Sequence, residues 1–237
     1  MRRGGALQSV IRENKWFFVP FGLFLVLGAI LLSVLNTGDA IFFFSAHRSY
    51  WGDLFFRYFT KMGEAPAYFL VLGALLFVGF RHVAALPVLG FLVGLLSFLS
   101  KELFSHDRPY LFFRKMGVFD QIHTVEGVVL NGGNNSFPSG HTMSAFALYA
   151  FLALCLPRKG GVGLLLFLAA LLVGVSRIYL VQHFFKDVYL GAFLGVLAAL
   201  AVYFLQYRMD APWMGRKLNI NWKGKPKVRR QAYRDVH

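Results

Sequence analysis

Six uncharged apolar runs, separated by short charged stretches, organise this chain. They occupy residues 16–35, 65–80, 83–100, 142–156, 160–176 and 188–207. A helix needs about 20 apolar residues to cross the hydrocarbon core of a bilayer, within a range of about 17–25. The first run is long enough outright. The shorter runs reach that length once flanking polar residues extend each helix into the interface. The pattern therefore predicts an all-α, polytopic membrane protein with six transmembrane helices. Four cations, Arg2, Arg3, Arg12 and Lys15, precede the first run and give it the look of a signal peptide. Its length and the lack of a small-x-small cleavage site read instead as a retained membrane helix. Residues 50–61 (YWGDLFFRYFTK) differ. Asp53, Arg57 and Lys61 recur every four residues among aromatics, as on one face of an interfacial amphipathic helix. A loop helix that packs on the bundle would show the same pattern.

Composition agrees with a membrane protein. The 237 residues are 57% hydrophobic and 15% charged, with a mean hydropathy of +0.55. A soluble domain is rarely so apolar. The net charge of +14 sits largely in the flanks and tail, which favours anionic lipid headgroups over nucleic acid as the partner. The single cysteine, Cys155, lies in an apolar run and reads as a packing residue, with neither an intrachain disulfide nor a zinc-finger spacing available. Six spans put both termini on one side. That side carries 16 lysines and arginines and the other carries nine. The positive-inside rule then predicts cytoplasmic termini. The expected domains are a basic N-terminus over 1–15, a transmembrane domain over 16–207 and a basic tail over 208–237. The tail reads as lipid-bound or disordered.

Three polar stretches on the non-cytoplasmic side carry candidate chemistry. In residues 101–109, Lys101 and Arg108 are seven apart, so one helix could present both on the same side, with Pro109 discouraging continuation. Two cations at the membrane edge call for an anion, or else snorkel to the headgroups. The second stretch is Pro138-Ser-Gly-His141. Ser139 suits an N-cap, Gly140 allows close backbone approach, and a helix N-terminus attracts anions. His141 would point at the same place. The third contains Ser176, Arg177, His183 and Asp187. In a helix, His183 and Asp187 would meet, and a carboxylate on one ring nitrogen leaves the other as a nucleophile or base. Two rivals stay open: a structural His–Asp pair, or a metal held by His141, His183 and Asp187. Three nearby cations speak against a divalent metal.

Taken together, Lys-x6-Arg-Pro, Pro-Ser-Gly-His and Ser-Arg-x5-His-x3-Asp resemble the signature of the type 2 phosphatidic acid phosphatase (PAP2) superfamily, with no letter departing from it. The signature covers roughly residues 101–187, and the span layout extends the likeness over 16–207. The resemblance implies a six-helix PAP2-type bundle, to which the 50–61 pattern adds a short interfacial helix, and metal-free phosphatase chemistry without a cofactor. It implies a phosphohistidine on His183, oriented by Asp187. His141 would act as the acid that protonates the leaving oxygen and then activates water. Lys101, Arg108, Arg177, Ser139 and Gly140 would form the phosphate cradle. Phosphoryl transfer depends mainly on positioning and charge stabilisation, which cations and a helix N-terminus supply.

The expected substrate is a lipid phosphate or pyrophosphate at the outer leaflet of a bacterial cytoplasmic membrane. The candidates are undecaprenyl pyrophosphate, phosphatidylglycerol phosphate, phosphatidic acid and a lipid A phosphate. A phosphotransferase with the same site and a non-enzymatic lipid-binding or transport protein are the alternatives. Soluble haloperoxidases share the anion motif but not six apolar spans. Residues 105–137, with Tyr110, Phe112, Phe113, Phe119, Arg114 and Lys115, read either as a lid or as an aromatic interfacial loop. His106 and Asp107 are further candidate substrate contacts. Asn134-Asn-Ser136 has the form of a glycosylation sequon but lies too near the proposed site for a glycan. The sequence leaves the oligomeric state open.

Overall fold

The structure, a computed structural model, describes residues 3–157, 160–208, 211–218, 220–221, 225–226 and 229–230. Ten α-helices appear among them: α1 (Arg3–Glu13), α2 (Lys15–Val34), α3 (Asp39–Ala46), α4 (Tyr50–Phe59), α5 (Ala65–Val78), α6 (Phe80–Phe104), α7 (Pro109–Lys115), α8 (Gly140–Cys155), α9 (Val162–Tyr179) and α10 (Phe185–Leu205). All six predicted runs become helices, namely α2, α5, α6, α8, α9 and α10.

Helix α8 is the axis of the bundle. Every residue from Ala145 to Cys155 is buried, and α5, α6, α9 and α10 all pack on it. A helix that is apolar on every side belongs inside protein. Its neighbours reach it closely because they present glycine at the crossings. A Cβ on Gly191 of α10 would stand 2.7 Å from the Ser139 carbonyl oxygen, and one on Gly195 would overlap the Met143 carbonyl. A Cβ on Gly174 of α9 would meet Thr142 Cγ2 of α8 at 3.4 Å and Val188 Cγ1 of α10 at 3.0 Å. These crossings matter to the site. Gly191 lets the first turn of α10 lie against the start of α8, so two of the three polar stretches are locked together by backbone packing. The opposite extreme is α2, which exposes Val19, Leu23, Val26, Leu27 and Ile30 along one flank.

Length and composition support fewer spans than the six predicted. Among the described residues, four helical stretches are long and apolar enough to cross a bilayer: 15–34, 80–115, 162–179 and 185–208. A fifth arises if α4 with its following 3-10 turn (Thr60–Gly63) and α5 make one span across their 58° bend. Pro66 at the start of α5 suits a first turn and helps place that bend. Helix α8 has only 16 residues. Since protein rather than lipid surrounds it, it need not match the bilayer thickness.

The polar stretches gather at one end of the bundle. Helix α6 runs from the C-terminal segment, where Arg81 N donates to Met214 O and Leu218 N to Leu76 O, towards Lys101 at its far end. Helix α9 starts beside Trp16 and Phe17 of α2 and carries Arg177 in its last turn. Helix α10 carries Asp187 in its first turn and ends by Gln206, whose carbonyl accepts from Arg81 Nη1. The basic tail, expected to be lipid-bound or disordered, forms two short antiparallel pairings where it is described. Strand β1 (Arg216–Lys217) pairs with β4 (Arg229–Arg230), and β2 (Ile220–Asn221) with β3 (Lys225–Pro226). Arg2, Arg158, Lys159 and the rest of the tail lie outside the described residues.

Both readings of residues 50–61 hold in part. The polar side of α4 docks on the bundle: Asp53 accepts from Arg48 and from the Tyr179 hydroxyl, and Arg57 Nη1 donates to Glu126 O. Trp51, Phe55 and Tyr58 face outward, as an interfacial helix requires.

Candidate active site

Helix α8 opens at Gly140, after a cis Phe137–Pro138 bond. Ser139 is its N-cap: its Oγ accepts from Thr142 N at 3.4 Å and from Thr142 Oγ1 at 2.9 Å. With its lone pairs so engaged, the Ser139 hydroxyl keeps its own proton to donate. Gly140 faces α6, where a Cβ would come within 3.0 Å of Ser97 Oγ and 3.8 Å of Lys101 Nζ. A side chain at position 140 would thus intrude between the helix N-terminus and the lysine. The ammonium and the first N–H groups of α8 share one small space, and both are positive.

Arg108 and Arg177 complete the cationic wall. Arg108 is nearly buried, its Nε donating to Asn135 Oδ1 at 2.6 Å and its backbone N–H to Gly133 O at 2.8 Å. Arg177, in the last turn of α9, donates from Nη1 to Thr60 Oγ1 at 2.8 Å, while its buried Nε has no hydrogen-bond partner. Arg108 stands within electrostatic reach of both Lys101 and Arg177. Three like charges held this close out of water are unfavourable unless an anion joins them.

His183 sits in the tight reversal between α9 and α10. The Arg177 carbonyl accepts from both Gln182 N and His183 N. Val181 takes a left-handed backbone (φ 58°), a costly conformation for a β-branched residue. Gln182 holds the reversal: its Nε2 donates to Val129 O, and its Oε1 accepts from Asn131 Nδ2. His183 Nδ1 lies 3.4 Å from Asp187 Oδ2, and that oxygen also accepts from Ser136 Oγ at 2.5 Å and from Phe184 N at 2.9 Å. Asp187 therefore does two jobs. It caps the first turn of α10, and it occupies Nδ1 of the histidine so that Nε2 is left for a ligand.

Burial pushes the His183 pKa down to about 4. The Asp187 hydrogen bond opposes that push and the Arg177 charge adds to it. The ring is neutral at pH 7, as a nucleophile must be. Because the folded protein holds this proton less tightly than the unfolded chain, whose histidines titrate near 6.5, the sign is fixed. The group's contribution to stability is complete above pH 6.5 and is lost progressively as pH falls to about 4. Detergent-solubilised His183→Gln should therefore lose less melting temperature between pH 6.5 and 4 than the wild type. An equal loss in both would contradict this titration.

The structure corrects three expectations. Lys101 and Arg108 do not share a helix. Helix α6 ends at Phe104 because Ser105 adopts a left-handed conformation (φ 37°), and Arg108 is the extended N-cap of α7. Pro109 opens α7 rather than closing α6. His183 lies outside α10, so it meets Asp187 through the capping turn and not through a helical i,i+4 contact. Asp107, a candidate substrate contact, is ion-paired to Lys115 at 2.7 Å. Beside it, His106 packs on Phe104 and Phe137. The 105–137 segment is a folded cover: its Phe113 and Ile122 pack with Ile178, Val181 and Phe184 around the His183 reversal.

Sequence reasoning missed Ser136, Asn135, Gln182, Thr60 and Glu64. The first two lie just before Phe137–Pro138 and show in sequence only the form of a sequon. Glu64 stands in sequence only as the charge before the apolar run 65–80, yet its Oε1 lies 3.1 Å from His141 Nε2. No spacing rule links residues 77 positions apart. Among the described residues, no three histidine, cysteine or carboxylate side chains converge as metal ligands do.

A helical bundle with three cations, a helix N-terminus and two histidines at one end defines an integral membrane protein with a cationic polar site. A family model described as the PAP2 superfamily matches residues 82–210, and the chain belongs to that family as a membrane phosphatase of the PAP2 type. It is 29% identical over 186 residues to the lipid A 4'-phosphatase of Bacteroides thetaiotaomicron, covering 76% of this chain and 80% of that protein. The crystal structure of Aquifex aeolicus LpxE superposes with a TM-score of 0.58 at 26% identity, over 70% of this chain and 93% of that one. The transmembrane PAP2 type phosphatidylglycerolphosphate phosphatase from Bacillus subtilis gives 0.55 at 25% identity, over 84% and 98%.

Proposed function

We propose that this protein hydrolyses a lipid phosphate or pyrophosphate at the outer leaflet of a bacterial cytoplasmic membrane, through a phosphohistidine on His183 and without a metal. The single observation that carries the reading is the His183–Asp187–Ser136 arrangement beside Arg108 and Arg177. It occupies Nδ1 of a neutral imidazole and leaves Nε2 free next to cations.

The reaction follows from these groups. The phosphoryl oxygens sit among Lys101, Arg108, Arg177, the Ser139 hydroxyl and the N–H groups opening α8. His183 Nε2 attacks phosphorus while the leaving oxygen takes a proton from His141. The N-phosphoimidazolium keeps its Nδ1 proton on Asp187. Water then attacks phosphorus, His141 takes its proton, and phosphate departs with His183 restored. The lipid tail stays among the helices, since the site opens at the end of the bundle rather than in a soluble domain. Both termini face the cytoplasm in this reading, as the excess of basic residues on their side favours.

The substrate names of the relatives supply a panel: a lipid A phosphate and phosphatidylglycerol phosphate, with phosphatidic acid and undecaprenyl pyrophosphate added. Purified protein in detergent is expected to release inorganic phosphate from at least one of them with EDTA in excess. Release abolished by EDTA would overturn the metal-free cradle. A phosphorylated acceptor accumulating in place of phosphate would mean a transferase.

A further inference from the structure

The acid histidine of this site has a carboxylate that none of the three signature stretches contains. Glu64 is the residue before α5, at the bend that follows the 3-10 turn Thr60–Gly63. Its Oε1 is 3.1 Å from His141 Nε2. The contact is not a chance meeting of two loose side chains, because the turn that carries Glu64 is stapled to the site helices. Ser144 Oγ donates to Gly63 O at 2.8 Å, and Tyr149 OH to Met62 O at 2.9 Å, both from α8. Arg177 of α9 donates to Thr60 Oγ1 at the other end of the same turn. Gly63 is itself pressed on α8, where a Cβ would come within 3.0 Å of His141 O.

We infer that Glu64 is the positioning residue of the general acid: it holds the Nε2 proton of His141 and leaves the Nδ1 proton for the leaving oxygen. The inference rests on the proposed phosphohistidine reaction and deepens it. Its physical need is clear. The charged groups facing His141 are Lys101 from α6, Arg177 from α9 and Glu64 from the turn before α5. Two of the three are cations, and they oppose a second proton on the ring. Among those three groups the Glu64 carboxylate is the one counter-charge, and it offsets part of their opposition to the second proton. Atoms balance without further groups. Nδ1–H passes to the departing oxygen in the first step, Nδ1 takes a proton from water in the second, and Nε2–H stays on Glu64 throughout.

The experiment compares wild type, Glu64→Gln, Glu64→Ala and His141→Ala in detergent micelles, on phosphatidic acid and on p-nitrophenyl phosphate. Alkoxide from the lipid needs a proton to leave, whereas p-nitrophenolate does not. Glu64→Gln is expected to lower kcat on phosphatidic acid about ten- to hundredfold with KM little changed, and to spare p-nitrophenyl phosphate. The alkaline limb of its kcat/KM profile should move about one pH unit lower, since the acid loses its counter-charge. Glu64→Ala should behave in the same way. Equal losses on both substrates, or an unmoved alkaline limb in both variants, would overturn the inference and make Glu64 a structural residue of the bend. A wild type inactive on the whole lipid panel, or a His141→Ala that ignores the leaving group, would instead defeat the proposed reaction itself. Melting temperatures of the variants separate lost folding from lost chemistry, and Gln is close enough in shape to keep the bend.

Discussion

His183→Ala is expected to abolish phosphate release, with a loss of at least about 10⁴-fold on every lipid phosphate tested. The argument is that no other group can replace it. The ring is 2% exposed, neutral, and fixed at Nδ1, and the other histidine of the site is engaged with Glu64. Removing the ring leaves the cations and the α8 N-terminus intact, so substrate should still bind with little change in affinity. The loss should therefore fall on kcat. A structural role would also reduce activity, so a covalent signature is needed. Wild type quenched during turnover of a ³²P-labelled lipid should carry label that survives alkali and is lost in acid, as a phosphoramidate bond is. His183→Ala should carry none. Label on a carboxylate, or turnover that survives the substitution, would remove His183 from the centre of the reaction.

The sequence made some of this site legible and hid the rest for a physical reason. Apolar runs between charges locate all six major helices, because burial and lipid exposure both demand unbroken apolar stretches. Ser139 declares itself as an N-cap because capping is local, and the structure places it there. Local rules fail where the chain leaves regular structure. Lys101 and Arg108 look like one helix face until Ser105 turns left-handed between them. His183 and Asp187 look helical until Val181 reverses the chain. Ser136, Thr60 and Glu64 reach the site only through contacts across 51, 117 and 77 positions, and no periodicity encodes those. The short α8 shows the same limit for span counting. Its length reads as marginal in sequence because the sequence cannot say that four helices surround it.

Asp187→Asn and Asp187→Ala should separate the two jobs of that side chain. A single oxygen, Oδ2, accepts from Ser136, from Phe184 N and from His183 Nδ1, while Oδ1 has no hydrogen-bond partner. Asparagine can place its carbonyl oxygen where Oδ2 stands, keeping the cap of α10 and the proton on Nδ1. Its amide nitrogen then takes the partnerless position, at a cost of about 1–3 kcal/mol. What it lacks is the negative charge that stabilises the N-phosphoimidazolium. Losing one such electrostatic partner typically costs about 10²–10³-fold in kcat. Alanine loses everything at once. The cap disappears at about 1 kcal/mol, the Ser136 hydroxyl and His183 Nδ1 lose their shared acceptor, and the ring is free to place its proton on Nε2, where it blocks attack. Its kcat should fall about 10⁴-fold, with a clearly lower melting temperature than asparagine. Kinetics and detergent melts on the two variants read the difference directly. Asparagine as active as wild type would show that the charge is dispensable. Asparagine as inactive as alanine, with its melting temperature preserved, would show that the charge alone makes His183 reactive and that orientation comes from the Gln182-braced reversal instead.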